Sequence, residues 1–418
     1  MAAFKTKNSF RLILIMGMLT AIGPLSIDMY LPAFPAIAES LQTTTARVTL
    51  SLSGFFIGIS AGQLLYGPLL ERYGRKRPLY GGLSLYFLAS VACAMAESVD
   101  TLIVFRILQA VGGCVGMVAA RAMVRDLFDT TENAKVFSML MLVVSVSPII
   151  APALGGYITA AFGWRYVFVA LIIVVLLILA GTFFFLPESK KPDPGFSLRP
   201  PVILKKFASV LMNPRFLTYA LTGAISYAGL YAYVGGSPFV FMEMYKVTEP
   251  QFGFIFAFIA AGLISASQVN NIVLKYFSSP RIIFVASASQ CLIGVLFVCF
   301  TISGFYNLYI MVGLVFLFLA CQGFIFPNAT ALALEPMGHN AGNASALIGA
   351  IQMGIGATAS AIIGIMQNIS AVPMSVVMAT CSIMALTVFL LGKKYLIKDT
   401  QEKFVRQGEV EAASCFNS

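Results

Sequence analysis

Two ionisable side chains sit where an apolar sequence rarely has them. Of 17 Asp and Glu residues only Asp28 falls inside an apolar run, and of 27 Lys and Arg residues only Arg106 lies comparably deep in one. An ionisable group in such a setting is expensive and marks an ion or proton pathway more often than a plain contact. A carboxyl group that is alternately enclosed and hydrated can load and release one proton per cycle, and a nearby guanidinium alters how firmly the proton is held. The chemistry Asp28 and Arg106 could perform together is therefore proton coupling. The plainer alternative is a fixed pair joining two helices, an expensive glue in a neutral interior.

Other chemistries lack material. A single histidine, His339, beside Glu335 makes neither a metal site nor a Ser-His-Asp triad by itself. The seven cysteines, Cys93, Cys114, Cys291, Cys299, Cys321, Cys381 and Cys415, show no paired or metal-like spacing, and those in apolar stretches are expected to be small core residues. No Gly-x-x-x-x-Gly-Lys-Ser/Thr loop is present. The chain is not expected to be an enzyme, to hold a metal or to carry a cofactor. Its energy source is then an ion gradient, with protons expected and sodium left open by a lone carboxylate.

The elements that must hold these residues are membrane helices. The chain of 418 residues is 59% hydrophobic and only 11% charged, whereas a soluble domain carries about a quarter charged residues. A span takes about 20 apolar residues. Such stretches predict an all-α polytopic membrane protein of about twelve transmembrane helices in two six-helix halves. The expected spans are 11–31, 46–69, 78–96, 101–121, 136–160, 165–186, 216–239, 251–274, 282–303, 306–330, 341–367 and 373–394. The basic N-terminus and the apolar run from Leu12 resemble a signal peptide, but no small-residue cleavage site closes the run, which reads as the first helix. The uncharged stretch 282–334 is too long for one helix, and Ser303, Gly304 and Asn307 supply the turn. Residues 1–186 then form one bundle, 187–214 a proline-rich linker that breaks any extended helix, 215–396 a second bundle and 397–418 a tail.

The formal charge of +10 would suggest a nucleic-acid partner in a soluble protein. Here all Lys and Arg except Arg47, Arg106, Arg165 and Lys246 fall in one alternating set of loops. The positive-inside rule places those loops and both termini in the cytoplasm of a bacterial inner membrane, with lipid and no nucleic acid as the implied surroundings. Asp28 is then about 25 Å along the first helix and Arg106 about 9 Å down the fourth. In a core about 30 Å thick both fall in the outer half, so an interaction, direct or through water, is geometrically allowed.

A loop after the second span, Gly67-Pro68-Leu69-Leu70-Glu71-Arg72-Tyr73-Gly74-Arg75-Lys76-Arg77, combines glycines for close packing and a sharp turn with an acid suited to a helix N-terminus and arginines seeking acids. Asp126, beside Arg125, is the obvious partner. Further runs follow: Arg106-Ile107-Leu108-Gln109-Ala110-Val111-Gly112-Gly113, Pro148-Ile149-Ile150-Ala151-Pro152-Ala153-Leu154-Gly155-Gly156, and Gly163-Trp164-Arg165. A proline-glycine kink in the second of these is expected at the interface between the halves.

In this order the runs resemble motifs of the major facilitator superfamily, with Glu71 where the pattern has Asp and Ala151 where it has Gly. Ser26-Ile27-Asp28-Met29-Tyr30-Leu31-Pro32 and Ala120-Arg121-Ala122-Met123-Val124-Arg125-Asp126 are similar to the bicyclomycin and chloramphenicol resistance (Bcr/CflA) subfamily of drug:proton antiporters. The resemblance covers nearly the full length, with its sharp motifs in the first half. It implies proton coupling at Asp28 and Arg106, a gate at Gly67, Glu71, Arg72, Gly74, Arg75, Arg125 and Asp126, and an antiporter segment at Pro148, Pro152, Gly155 and Gly156. It implies proton-driven export of small drug-like molecules, multidrug resistance as the phenotype, and a chain that works as a monomer.

Candidate substrate contacts are Tyr30, Gln109, Tyr227, Tyr231 and Gln352, with Tyr233, Phe254 and Phe258 as further cavity candidates, since aromatic faces with a few polar groups suit flat amphipathic ligands. An exporter of an endogenous metabolite such as a siderophore, sugar or amino acid would share the gate and Asp28 and differ in cavity polarity. A proton symporter for nutrient uptake fits less well, because the fifth-span segment is of the antiporter type.

Overall fold

A computed structural model describes the backbone of residues 7–128, 130–304, 307–366 and 370–416, and the side chains of 11–128, 136–304, 307–338, 340–366 and 370–396. The side chains of His339 and Cys415 lie outside the described residues. Every regular element among them is helical: α1 (Lys7–Asp28), α2 (Phe34–Ser40), α3 (Thr45–Tyr73), α4 (Lys76–Ala94), α5 (Val99–Leu127), α6 (Thr130–Phe162), α7 (Arg165–Phe185), α8 (Pro200–Leu211), α9 (Pro214–Ser237), α10 (Glu249–Val273), α11 (Ser279–Ile302), α12 (Leu308–Leu334), α13 (Ala341–Met366) and α14 (Val372–Phe416). Ten of the described helices are long and apolar enough to cross a membrane. The other two long helices, α4 and α9, are richer in Lys, Arg, Tyr, Thr and Gly. Neighbours enclose them, α5 and α7 around α4, and α12, α13 and α14 around α9. The protein is thus a multi-pass membrane protein, and the twelve expected spans coincide with its twelve long helices.

Several boundaries differ from expectation for local reasons. Helices α3 and α5 run several residues past the expected spans, so Glu71, Arg72, Arg125 and Asp126 ride on last helical turns instead of loops. Gly74, at φ +81°, ends that run before α4 in a conformation that a side chain would strain. The expected proline break in the linker holds only up to residue 199. Pro200 and Pro201 occupy the first turn of α8, where a missing N–H is harmless, and start a helix instead of preventing one. Pro148 and Pro152 lie inside one continuous helix, α6. Helix α14 continues past its apolar part, Val372–Leu396, through the expected tail. The expected turn near 303–307 forms as Gly304 at φ +70° with Asn307 accepting bonds from the amides of Tyr309 and Ile310.

Two long interfaces join the helices before residue 186 to those after 214: α3 lies along α13, and α6 along α10. Small residues permit both. A Cβ on Gly156 would lie 2.7 Å from the Glu249 carbonyl oxygen, and one on Gly253 would lie 2.7 Å from Ala153 Cα. Along α3 and α13, Ser53 donates to Ser360 (3.0 Å) and Ser60 to the Ala350 carbonyl (2.8 Å). Thr49 donates to the Gly235 carbonyl (3.2 Å), and Thr45 donates to the Glu243 carboxylate. The contacts of Thr45, Thr49, Ser53 and Gly253 close the face on which α3 and α10 begin. On the other face, which carries Gly74, Arg75 and the 186–199 segment, a cleft of about 610 Å³ separates the α3 and α5 ends from the start of α13.

Candidate functional site

Helix α1 stops at Asp28 because Pro32 and Pro35 follow, and a 3₁₀ turn (Leu31–Ala33) leads into α2. Asp28 is thereby held at a break in the helix, only 6% exposed, with Oδ2 buried and without a hydrogen-bond partner. It borders a central cavity of about 350 Å³ built from α1, α3, α5, α6, α9, α10, α12 and α13. Tyr227, Tyr231 and Tyr233 of α9 line the same cavity. Tyr227 and Tyr231, one turn apart, present one face, their ring centroids 5.5 Å apart. Tyr231 also packs on Phe56 (4.6 Å) and meets Gln352 Nε2 at 3.5 Å. Pro148 of the antiporter segment joins the same wall.

Arg106 does not join them. No ion pair links it to Asp28 among the described residues. Its Nη1 donates to Gln109 Oε1 (2.6 Å) and its Nη2 to the Ser26 carbonyl (3.0 Å). The rings of Phe55 and Tyr30 cover it with centroids 4.1 and 4.4 Å from Cζ, a cation–π enclosure. Gln109 donates onward to Ser90 (2.8 Å), and Tyr30 shares a hydrogen bond with Ser51 (2.7 Å). Tyr30 and Gln109 are fully buried in this cluster and do not line the cavity, unlike Tyr227, Tyr231 and Gln352. In this conformation they stand behind the cavity wall, against Arg106. Phe254 and Phe258 point outward, 61% and 55% exposed, and leave the cavity list too.

Around Gly74 the charges interlock. Arg75, 3% exposed, donates Nε to Asp126 Oδ2 (2.8 Å), Nη2 to Oδ1 (3.3 Å) and Nη1 to Glu71 (3.1 Å). Burial works against the Arg75 charge, but the bonds to the two carboxylates outweigh it and raise its proton affinity. Glu71 also binds Lys190, and Arg72 donates to the Phe196 carbonyl (3.2 Å). The acid at the start of α4 is Glu188, which accepts from the amides of Arg75 (2.7 Å) and Lys76 (3.0 Å). Gly67 and Arg125 border the cleft, and a Cβ on Gly342 at the start of α13 would lie 3.9 Å from Arg125 Nη1. Glu188 and Lys190 went unread because they sit in the linker, where charge reads as solubility. Their signal was a Glu-Ser-Lys run directly after an apolar span.

In the antiporter segment, a Cβ on Gly155 would overlap the Met29 carbonyl oxygen, so α6 presses on the chain just after Asp28, while Gly156 faces α10. Helix α6 therefore touches both the Asp28 break and the opposite bundle of helices. The arrangement can enclose a mostly apolar small molecule beside one carboxyl group, with one face closed and the other cleft open.

Comparison with known proteins agrees with that geometry. The family described as Major Facilitator Superfamily matches residues 16–361. The chain is 33% identical over 93% of its length, and 97% of the relative's, to the uncharacterized MFS-type transporter YdgK of Bacillus subtilis. It is 31% identical to a bicyclomycin resistance protein homolog of Haemophilus influenzae over 92% of this chain and 96% of that one. It is 30% identical to multidrug resistance protein MdtL of Escherichia coli over 80% and 83%. Among solved structures, a D-xylose-proton symporter superposes with a TM-score of 0.73 at 13% identity, covering 92% of this chain and 97% of that one, a likeness of fold.

Proposed function

The chain belongs to the Major Facilitator Superfamily, and from that premise we propose that it exports small drug-like molecules across the bacterial inner membrane in exchange for protons. The observation that carries this reading is Asp28, among the described residues the one carboxyl group on the wall of a central, largely apolar cavity, with Oδ2 enclosed and unpartnered. A charge left that way is costly, and a proton on Asp28 removes it. In the conformation described, a cleft opens on the basic face and shares Arg121 with the cavity wall; a rocking of residues 1–186 against 215–396 about the cavity would present Asp28 to the other side. With the basic face and both termini in the cytoplasm, outside protons load Asp28 and substrate leaves in exchange. Arg106 sets the position of Asp28 indirectly, by holding the Ser26 carbonyl two residues away. The Glu71, Arg75, Asp126 and Lys190 cluster acts as the cytoplasmic gate, and α6 carries the movement to Asp28 through Gly155. A single chain contains the whole cavity, which supports a working monomer.

The similarity to a bicyclomycin resistance protein homolog and to MdtL favours drugs over endogenous metabolites as substrates. Expression in a bacterial strain lacking its major efflux pumps tests the reading. Energised cells should accumulate less chloramphenicol, bicyclomycin or fluoroquinolone than controls, and an uncoupler should abolish the difference. Greater accumulation in energised cells would mark an importer and contradict the proposal.

A further inference from the structure

We propose that Arg121 is a second recognition point of the central cavity, binding an anionic oxygen group, a carboxylate foremost, on the transported molecule. The inference rests on the reading of the cavity as a transport path. Ala110, Cys114, Met117 and Arg121 recur every three to four residues, so one stripe of α5 forms part of the wall. One step back along that stripe stands Arg106, sealed by rings and hydrogen bonds. Arg121 stands at the other end, open to both the 350 Å³ cavity and the 610 Å³ cleft.

Arg121 contrasts with Arg106 of the same helix, which donates to Gln109 and to the Ser26 carbonyl. Among the described residues, no hydrogen bond or ion pair of the protein occupies the Arg121 guanidinium. Among those residues it is also the one basic side chain on the cavity wall, as Asp28 is the one acid. The two enter from opposite faces, each about 30 Å along its own helix, so they mark the two ends of the space with tyrosines between. A planar guanidinium binds carboxylates through paired hydrogen bonds. Arg125, Lys190 and Lys206 around the cleft draw anions towards it. The substrate class that fits is an aromatic body with a carboxylate at one end, a zwitterionic drug included.

Norfloxacin and its methyl ester form a matched pair that differs in this one charge. Equilibrium binding to the purified full-length protein should show the native chain preferring the acid by about tenfold, a difference of about 1.4 kcal/mol. Arg121→Gln should lower acid binding far more than ester binding and erase the preference; Arg121→Lys, which keeps the charge without the fork, should restore part of it. The proposal is overturned if the native protein shows no preference for the acid or does not bind it, or if Arg121→Gln weakens both compounds equally, the mark of a structural role. Proton-driven movement of the cation ethidium in inverted vesicles of the native protein separates the readings. If it occurs while the acid preference is absent, the Arg121 assignment fails and the exporter stands; if no pH-driven transport occurs, the exporter fails.

Discussion

At the scale of single residues, the site divides its labour between a carboxyl group that faces the cavity and a guanidinium that does not. Asp28 and Arg106 were legible in the sequence because charge inside an apolar run is rare and expensive. That they do not pair was not legible, because distance along a helix gives depth but not azimuth. Arg106 turns into the α1, α3, α4 and α5 cluster and grips the Ser26 carbonyl, while Asp28 faces the α9 tyrosines. The burial of Tyr30 and Gln109 against Arg106 was hidden for the same reason. Arg106→Lys keeps the charge but cannot make both bonds, and each charge-assisted hydrogen bond lost removes about 1.5–3 kcal/mol. Its thermal unfolding in detergent should fall clearly below that of the native protein, and an unchanged midpoint would contradict the positioning role. Glu188→Ala strips the α4 start of its acceptor and should destabilise by about 1 kcal/mol, with the loss read in the same melt.

At the scale of elements, hydropathy and breakers exposed all twelve long helices, and the small residues of 148–156 marked an interface. The linker helix α8 was obscured because prolines read as breakers unless their place in the first turn is recognised. Arg121 was legible as a loop charge and as part of the 120–126 run but not as a cavity residue, because α5 was expected to end there, whereas the helix carries it along the cavity wall. The contact of α6 with α10 makes a prediction at this scale. Gly156→Val puts side-chain atoms against the Glu249 carbonyl, which a Cβ alone approaches to 2.7 Å. Packed backbones relieve such overlap by moving apart, so the variant should open the closed face. A cysteine substituted for Ser360 in a chain without its native cysteines should then react with a membrane-impermeant thiol reagent several times faster than in the Gly156 parent. Equal rates would mean that this contact does not hold the face shut.

At the scale of the whole molecule, the contacts of Thr45, Ser53 and Gly253 close one face while the cleft beside Arg75 stays open on the other. The sequence could not reveal which face is closed, since the same residues serve both states and the balance between them is a matter of long-range packing. An exporter in this state takes substrate from the basic face and needs a proton from the other side to reset. The measurement that bears most directly on this is proton release driven by substrate in inverted membrane vesicles holding an imposed pH gradient, with the native protein beside Asp28→Asn. Chloramphenicol, bicyclomycin or a fluoroquinolone should collapse the gradient with the native protein and leave it intact with Asp28→Asn, which should still be present and folded. Equal collapse by both proteins would contradict the account, because the proton would then cross without Asp28.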